Sequence, residues 1–508
     1  MTQISLISEQ WIPVRDRKGV VRKISPLEIL DEEIVDIAAE RADFQTALWQ
    51  FLIGLIQTTL APEDEDAWFD IWEEGLEKAD LAKAFSKVGP AFIFGPQSPS
   101  FMQDFDQLEG EAVPLAALLP ESPGENTIKH NKDFFIKRGE KRFCPHCAAM
   151  ALFSLQLNAP PGGQGYRTGL RGGGPLPTLI ELHSYKGDRN VPLWRKLWAN
   201  VMPEFESNLP VPKEFDAAVF PWMGKTRTSK AKGSETTPEQ VNPLQAYWGM
   251  PRRVRIDFED LEEGRCDFCG EESDQLLSKM KVQNYGINYS GWVHPLTPYR
   301  CKLKTPGELN SVKLQPGGLV WKDWLGLNEE TTRKDTKEIP ALVVETFKHH
   351  IGTETKHGLW GFGYDFDNMK VRCWYEHHLP QLLSKEMQSS LQVAQDKAAR
   401  TLLGLKRAFS KLNRECSYLD VEFWNLTQNL FLGLIRELDE KNSDSESLSA
   451  FIKNINRFAL NFFDDRTFSS QMNPKDYKEC SEARKNLLAS LYAKSKSTPK
   501  AVSYTHLT

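Results

Sequence analysis

Two Cys-x-x-Cys pairs constrain this chain more than anything else in it: Cys144-Pro145-His146-Cys147 and Cys266-Asp267-Phe268-Cys269. Each can present two thiolates to one tetrahedral ion, and Gly270 after the second pair completes a zinc-ribbon pattern. One shared ion would force the 118 residues between the pairs to leave the site and return to it. The alternative is separate thiols. A single structural Zn2+ held by Cys144, Cys147, Cys266 and Cys269 is the stronger expectation, and four thiolates would leave it no open position for water. His146 is then a passenger in the first pair. The start of the chain alternates polar and apolar residues where a secretory signal needs a basic stretch and a long apolar core. The most apolar stretch, Ala47–Leu60, is too short for a bilayer and carries Gln50 and Gln57. A reducing, cytoplasmic setting without a membrane partner is therefore expected.

A length of 508 residues suits about three domains, or one large domain with an appendage. Over residues 1–375, short β-like runs mix with helices, many Gly and Pro, and long irregular connections, without β-α alternation or repeats. Apolar residues on both sides of Asp16-Arg17-Lys18-Gly19 predict a hairpin. From Asp43, read as an N-cap, apolar residues recur at helical spacing through Ile56. The stretch 224–241, with Lys225, Arg227, Lys230 and Lys232 among Gly, Ser and Thr, reads as a mobile loop. After residue 376 four helical patterns follow, over 380–412, 420–438, 444–464 and 475–494. A Ser443/Glu446 capping box and Asn473-Pro474 punctuate the last two. The expected fold is α+β: a large, irregular, mixed N-terminal domain over 1–375 carrying the zinc knuckles, then a C-terminal four-helix bundle over 376–498. Residues 499–508 fit no packing pattern and read as a tail, with a non-native origin left open.

A net charge of −6 gives the whole chain no basic footprint for nucleic acid. Locally the balance differs. Residues 128–142 hold six cations against two acids around Phe134, Phe135 and Ile136, which suits either a solvated face or a surface that neutralises and stacks a strand. Seven of the thirteen residues from Gly162 to Gly174 are glycine, and no Gly-Lys-Ser/Thr ending makes them a P-loop. They form either a flexible loop or a backbone probe for a nucleic-acid groove, with Arg167 and Arg171 on phosphates. Arg252, Arg253, Arg255, Lys279 and Lys281 flank the second cysteine pair, so a shared ion would draw these basic segments together. No G-x-S-x-G, H-E-x-x-H or paired acidic metal motif points to hydrolysis.

In order along the chain, Gln10-Trp11-Ile12-Pro13-Val14-Arg15, Pro99-Ser100-Phe101-Met102-Gln103, the two cysteine pairs, Gly169-Leu170-Arg171-Gly172-Gly173 and His294-Pro295-Leu296-Thr297-Pro298 resemble the CasA family. That family is the large subunit of the type I-E Cascade complex of CRISPR immunity, and the likeness covers nearly the whole chain. It implies a non-catalytic subunit with an α+β N-terminal domain and a C-terminal four-helix bundle. Such a subunit recognises the protospacer-adjacent motif (PAM) on double-stranded DNA, promotes duplex opening and R-loop formation, and recruits a separate helicase-nuclease in antiviral defence. Its other implied partners are the guide-RNA-bound Cascade subunits.

The family probes the PAM from the minor groove with a glycine loop, a lysine finger and a wedge. By resemblance the loop falls on Gly162, Gly163, Gln164 and Gly165, and the finger on Lys281 with Lys279 as competitor. The wedge falls on Asp367, Asn368 and Met369, where Asn stands in place of the family's Gln. Phe134, Phe135, Ile136, Lys137 and Arg138 correspond to a loop that docks onto the guide-RNA assembly and lies near DNA. Two rival readings stand beside this one: a zinc-dependent nucleic-acid-modifying enzyme whose second cysteine pair is only partly coordinated, and a scaffold that never touches DNA.

Overall fold

Asp16 builds the first hairpin. Its carboxylate accepts from the backbone N–H groups of Lys18 and Val20, both at 2.9 Å, while Gly19 takes the positive φ of +82° that the turn requires. Strand β1 (Ile12–Asp16) pairs with β2 (Val21–Ile24) on one side and β3 (Ile34–Ile37) on the other, all antiparallel. The structure is a computed structural model that describes residues 3–122, 141–333, 335–349, 355–367, 369–380, 385–441 and 444–492. Among the sequence expectations, Phe134–Arg138, Asn368, Ser443 and the 499–508 tail lie outside those residues.

The chain divides into two units, Met1–Gly318 with Gly326–Gln381, and Leu319–Leu325 with Leu382–Thr508. The first is a mixed α+β unit, as expected. Helix α1 (Ala42–Leu60) is apolar on nearly every side and lies in its core. Its N-cap is Arg41 rather than Asp43. Asp43 sits inside the first turn, where the helix N-terminus favours a carboxylate and the Arg41 guanidinium grips it at 2.9 and 3.1 Å. The acidic helix α2 (Glu65–Glu74) buries Trp68 and Trp72, stacked at 5.1 Å, and α3 (Lys78–Val88) follows. Helix α4 (Pro145–Asn158) packs along α1. Around Phe51 of α1, the rings of Trp11, Phe92, Phe101, Phe153 and Trp248 stand edge-on at 5.3 to 6.0 Å.

Small antiparallel sheets hang on this core. Strand β4 (Thr178–Tyr185) forms one edge of a sheet completed by the long hairpin of β12 (Thr355–Asp367) and β13 (Lys370–Pro380). Strand β5 (Arg253–Ile256) pairs with β8 (Lys279–Gln283), and between them in sequence stands the hairpin β6 (Glu262–Arg265) and β7 (Glu272–Leu276). Strands β9 (Tyr299–Lys302), β10 (Thr305–Ser311) and β11 (Thr336–Ile339) make a further sheet, and α5 (Leu342–His349) packs on β4. The 224–241 stretch, expected to be mobile, is pinned. Ser229 and Thr236 are buried, and Arg227 donates to Thr236 Oγ1 at 3.3 Å and Gln240 Oε1 at 2.8 Å.

The second unit is helical, and its four sequence patterns resolve into five described helices. Along α6 (Lys385–Lys411), Met387, Leu391, Ala394, Ala398, Leu402, Leu405 and Phe409 are buried, as their spacing predicts. The pattern over 420–438 splits at Thr427 into α7 (Leu419–Leu426) and α8 (Gln428–Lys441). The break changes the helical phase, so Leu426 points outward at 53% exposure while Trp424 and Phe431 turn in. Trp321, from the short upstream segment that belongs to this unit, packs at the break. The Trp321 indole N–H donates to Thr427 Oγ1 at 3.0 Å, and its ring stacks on Phe431 at 4.4 Å and meets Trp424 edge-on at 4.6 Å. Helices α9 (Asp444–Thr467) and α10 (Pro474–Tyr492) pack against α6. No helix among the described residues is long and apolar enough to cross a membrane.

Candidate metal centre and nucleic-acid interface

Cys144 is the N-cap of α4 and Pro145 occupies the first helical position, so Cys147 falls within the first turn, close to its partner. The second pair forms the turn of the β6–β7 hairpin. There the N–H of Cys266 donates to the Glu271 carbonyl at 2.9 Å, and Gly270, at φ +72°, returns its N–H to the Cys266 carbonyl at 3.1 Å. What brings the pairs together across 118 residues is a short zipper. Phe143 and Leu277 exchange backbone hydrogen bonds at 2.9 and 2.8 Å, the Arg142 N–H donates to Asp267 Oδ2 at 2.8 Å, and Phe143 stacks on Phe268 at 4.4 Å.

The four sulfurs lie within 4.8 Å of one another, three of them on buried residues and the fourth, on Cys269, half-exposed. Cys144 and Cys269 are 3.7 Å apart at Sγ, and a tetrahedron with 2.3 Å arms has an edge of about 3.8 Å. The backbone N–H of Cys144 points at Cys266 Sγ at 3.3 Å. Hydrogen bonds from Cys144 and Cys147 hold the Cys266 and Cys269 thiols below the ordinary range, Cys269 at about 7. The cluster can therefore hold one metal ion through four sulfur donors, and such an ion would be closed off by protein ligands.

The same stretch of chain leads from the cysteines to the glycine run. Gly163 to Tyr166 form a type II turn in which the Tyr166 N–H donates to the Gly163 carbonyl at 3.0 Å and Gly165 supplies the required positive φ, +79°. Gly163 and Gln164 are exposed, and among the described residues no atom beyond its chain neighbours stands within 4 Å of where a Gly163 Cβ would be. The turn is fastened to the end of β8. Asn284 Nδ2 donates to the Gln164 carbonyl and the Tyr285 N–H to the Gly165 carbonyl, both at 2.8 Å. Nothing in the sequence spacing links residues 164 and 284. The only local sign is Tyr285-Gly286 at a strand end, and Tyr285 adopts a left-handed φ of +65°.

On β8, Lys279 and Lys281 share one face by strand alternation, opposite buried Met280. Lys279 Nζ is held by Asp260 at 2.5 Å, whereas Lys281 has no ion-pair partner among the described residues. Asp367 and Met369 flank the tip of the β12–β13 hairpin. Met369 is 57% exposed, and an Asp367 carboxylate oxygen stands 3.9 Å from Arg372.

The fold also has a known counterpart. A family model described as CRISPR-associated protein Cse1 matches residues 5–462. The chain belongs to the Cse1 family. Thermus thermophilus CasA (Cse1) superposes with a TM-score of 0.68 at 19% identity, covering 95% of this chain and 99% of that one. Thermobifida fusca Cse1 gives 0.72 at 13% identity, over 96% and 97%. A chain of a CRISPR RNA-guided surveillance complex gives 0.72 at 14%, over 96% and 100%. At these identities the likeness is one of fold.

In this Cse1-family chain the two arginines expected on phosphates both have partners inside the fold. Arg171 is fully buried and donates to Thr297 Oγ1 at 3.2 Å and Gln50 Oε1 at 2.8 Å; burial pushes its guanidinium down to about 10. It anchors the glycine run to α1 from a buried position. Arg167 donates to Ser229 through Nε at 2.6 Å and through Nη2 to the carbonyl at 2.9 Å, so it ties the 224–241 segment to the glycine turn. The arginines before the second cysteine pair are likewise internal. Arg252 lies 4.7 Å over the Tyr166 ring, Arg253 pairs with Asp104 at 2.6 Å, and Arg255 donates to Ser98 Oγ at 3.0 Å.

Proposed function

We propose that this chain is the large, non-catalytic subunit of a type I-E CRISPR effector complex working in the cytoplasm. In that role it recognises the PAM on double-stranded DNA, promotes duplex opening and R-loop formation, and recruits a separate helicase-nuclease. Guide-RNA-bound subunits are its standing partners, and the helical unit takes the part of the family's four-helix bundle. The cysteine cluster is assigned to structural Zn2+, which its four-sulfur donor set suits.

The observation that carries the reading is the exposed Gly163–Gln164–Gly165 turn, fastened by Asn284 and Tyr285 to the strand that bears Lys281. A turn whose only side chain is that of Gln164 can bring its backbone into a narrow groove. The minor-groove pattern is degenerate, so such a turn with one lysine would read a short, tolerant motif. Met369 at its hairpin tip supplies an apolar wedge beside Asp367 and Asn368. Unstacking a base step costs a few kcal/mol, which protein contacts and heteroduplex growth offset. Phe134 to Arg138 keep the guide-assembly role given by the resemblance.

The test uses the reconstituted complex. Lys281→Ala combined with shortening of Gly162–Gly165 should weaken PAM-dependent duplex binding by about tenfold or more while leaving a single-stranded target nearly unaffected. Equal loss on both substrates would show that these residues act in assembly and would overturn the assignment.

A further inference from the structure

Among the described residues, the cysteine cluster borders a cleft. The cleft measures about 150 Å³, with Cys147 and Cys269 in its wall and Phe268 and His146 beside them. Cys269 is also the one cysteine of the four that is not buried, so a proton or a competing ligand coming from solvent meets its sulfur first. Across this cleft stand Lys23 of β2 and Glu271, two residues beyond Cys269, joined as an ion pair. Lys23 is 21% exposed and Glu271 55%. Glu271 is positioned by the knuckle itself, since its carbonyl accepts the Cys266 N–H at 2.9 Å. Lys23 comes from the opening hairpin, far away in sequence.

We infer that Lys23 and Glu271 form a clasp that controls passage of the metal ion between the cysteine cluster and solvent. The inference rests on the metal reading above and adds a gate to it. A divalent ion on four thiolates carries a net charge of −2. The Lys23–Glu271 ion pair stands in the cleft that leads to the exposed sulfur. Release of a bound ion would then require the Lys23–Glu271 clasp to open before Cys269 could let it go.

The test follows metal loss from the purified full chain loaded with zinc, in excess 1,10-phenanthroline, a neutral chelator that Lys23 does not attract by charge. Lys23→Met should release the ion about tenfold faster, the effect of about 1.4 kcal/mol on a barrier, with its melting temperature unchanged when no chelator is present. Lys23→Arg should retain slow release. Arg22→Met is the control, because Arg22 lines the same cleft but pairs with Asp31 at 2.6 Å; it should release at the wild-type rate. One bound zinc with Lys23→Met at the wild-type rate would overturn the clasp and leave the metal site standing. Equal acceleration by Arg22→Met would overturn it as well, by removing any specificity for the ion pair. A wild-type chain that binds no zinc would remove both the metal reading and the clasp.

Discussion

One stretch of chain, Cys266 to Tyr285, has the cysteine cluster at its beginning and the glycine turn at its end, and the two ends are built on opposite terms. At the first, four sulfurs, a backbone zipper at Phe143 and Leu277 and a stacked Phe143–Phe268 pair fix the same few atoms several times over. At the second, one side-chain and one backbone hydrogen bond hold a turn whose Gly163 and Gln164 are exposed. A site that must hold an ion against solvent needs redundancy. A surface meant to meet a partner needs groups left unspent, and redundancy there would consume them.

Substitutions should separate the two ends by what they lose, stability or binding. Cys147→Ser should have the largest effect, removing the metal and destabilising the first unit by on the order of 5 kcal/mol or more; metal analysis beside a melting curve reads both. Arg171→Ala should come next, at about 3 kcal/mol, because it opens a cavity and leaves Gln50 and Thr297 without their partner. An unchanged melting temperature with reduced DNA affinity would instead return Arg171 to the phosphate role. Gly165→Ala should cost about 1 kcal/mol, since an alanine is strained at the positive φ of this turn, and should lower duplex binding without affecting metal content. Lys281→Ala should be the mildest for the fold, within about 0.5 kcal/mol. In the assembled complex its duplex affinity should fall and the salt dependence of binding should flatten by about one unit of slope. Lys279→Ala, measured the same way, should move DNA binding little, because Asp260 already holds that ammonium. A larger loss at Lys279 than at Lys281 would reverse their assignment.

How far these differences could be read from the chain depended on whether the deciding physics was local. The cysteine pairs announced themselves because ligand spacing is a short-range constraint, and the Asp16–Gly19 turn did so because one carboxylate and one glycine suffice to close it. The cations could not be sorted this way. Arg171 and Lys281 stand in similarly basic segments, yet one is fully buried on Gln50 and the other has no ionic partner among the described residues. Only tertiary structure decides that. The same holds for the 224–241 segment, whose composition suits a mobile loop until Arg167 and the Gly286 carbonyl take hold of Ser229.

Trp321 carries a consequence for how this polypeptide can be cut or made. The chain crosses between its two units three times, at 318/319, 325/326 and 381/382, so no single cleavage point liberates the helical part intact. A fragment starting at Leu382 would present Trp424, Thr427 and Phe431 around a hole shaped like an indole. Losing a buried tryptophan typically costs about 3–5 kcal/mol, a large share of the 5–15 kcal/mol that keeps an ordinary domain folded. During synthesis the Leu319–Leu325 segment leaves the ribosome well before any helix that will enclose it, and must wait exposed for its shelter to be made. Swapping helical parts between relatives would succeed only if this seven-residue passenger travels with them.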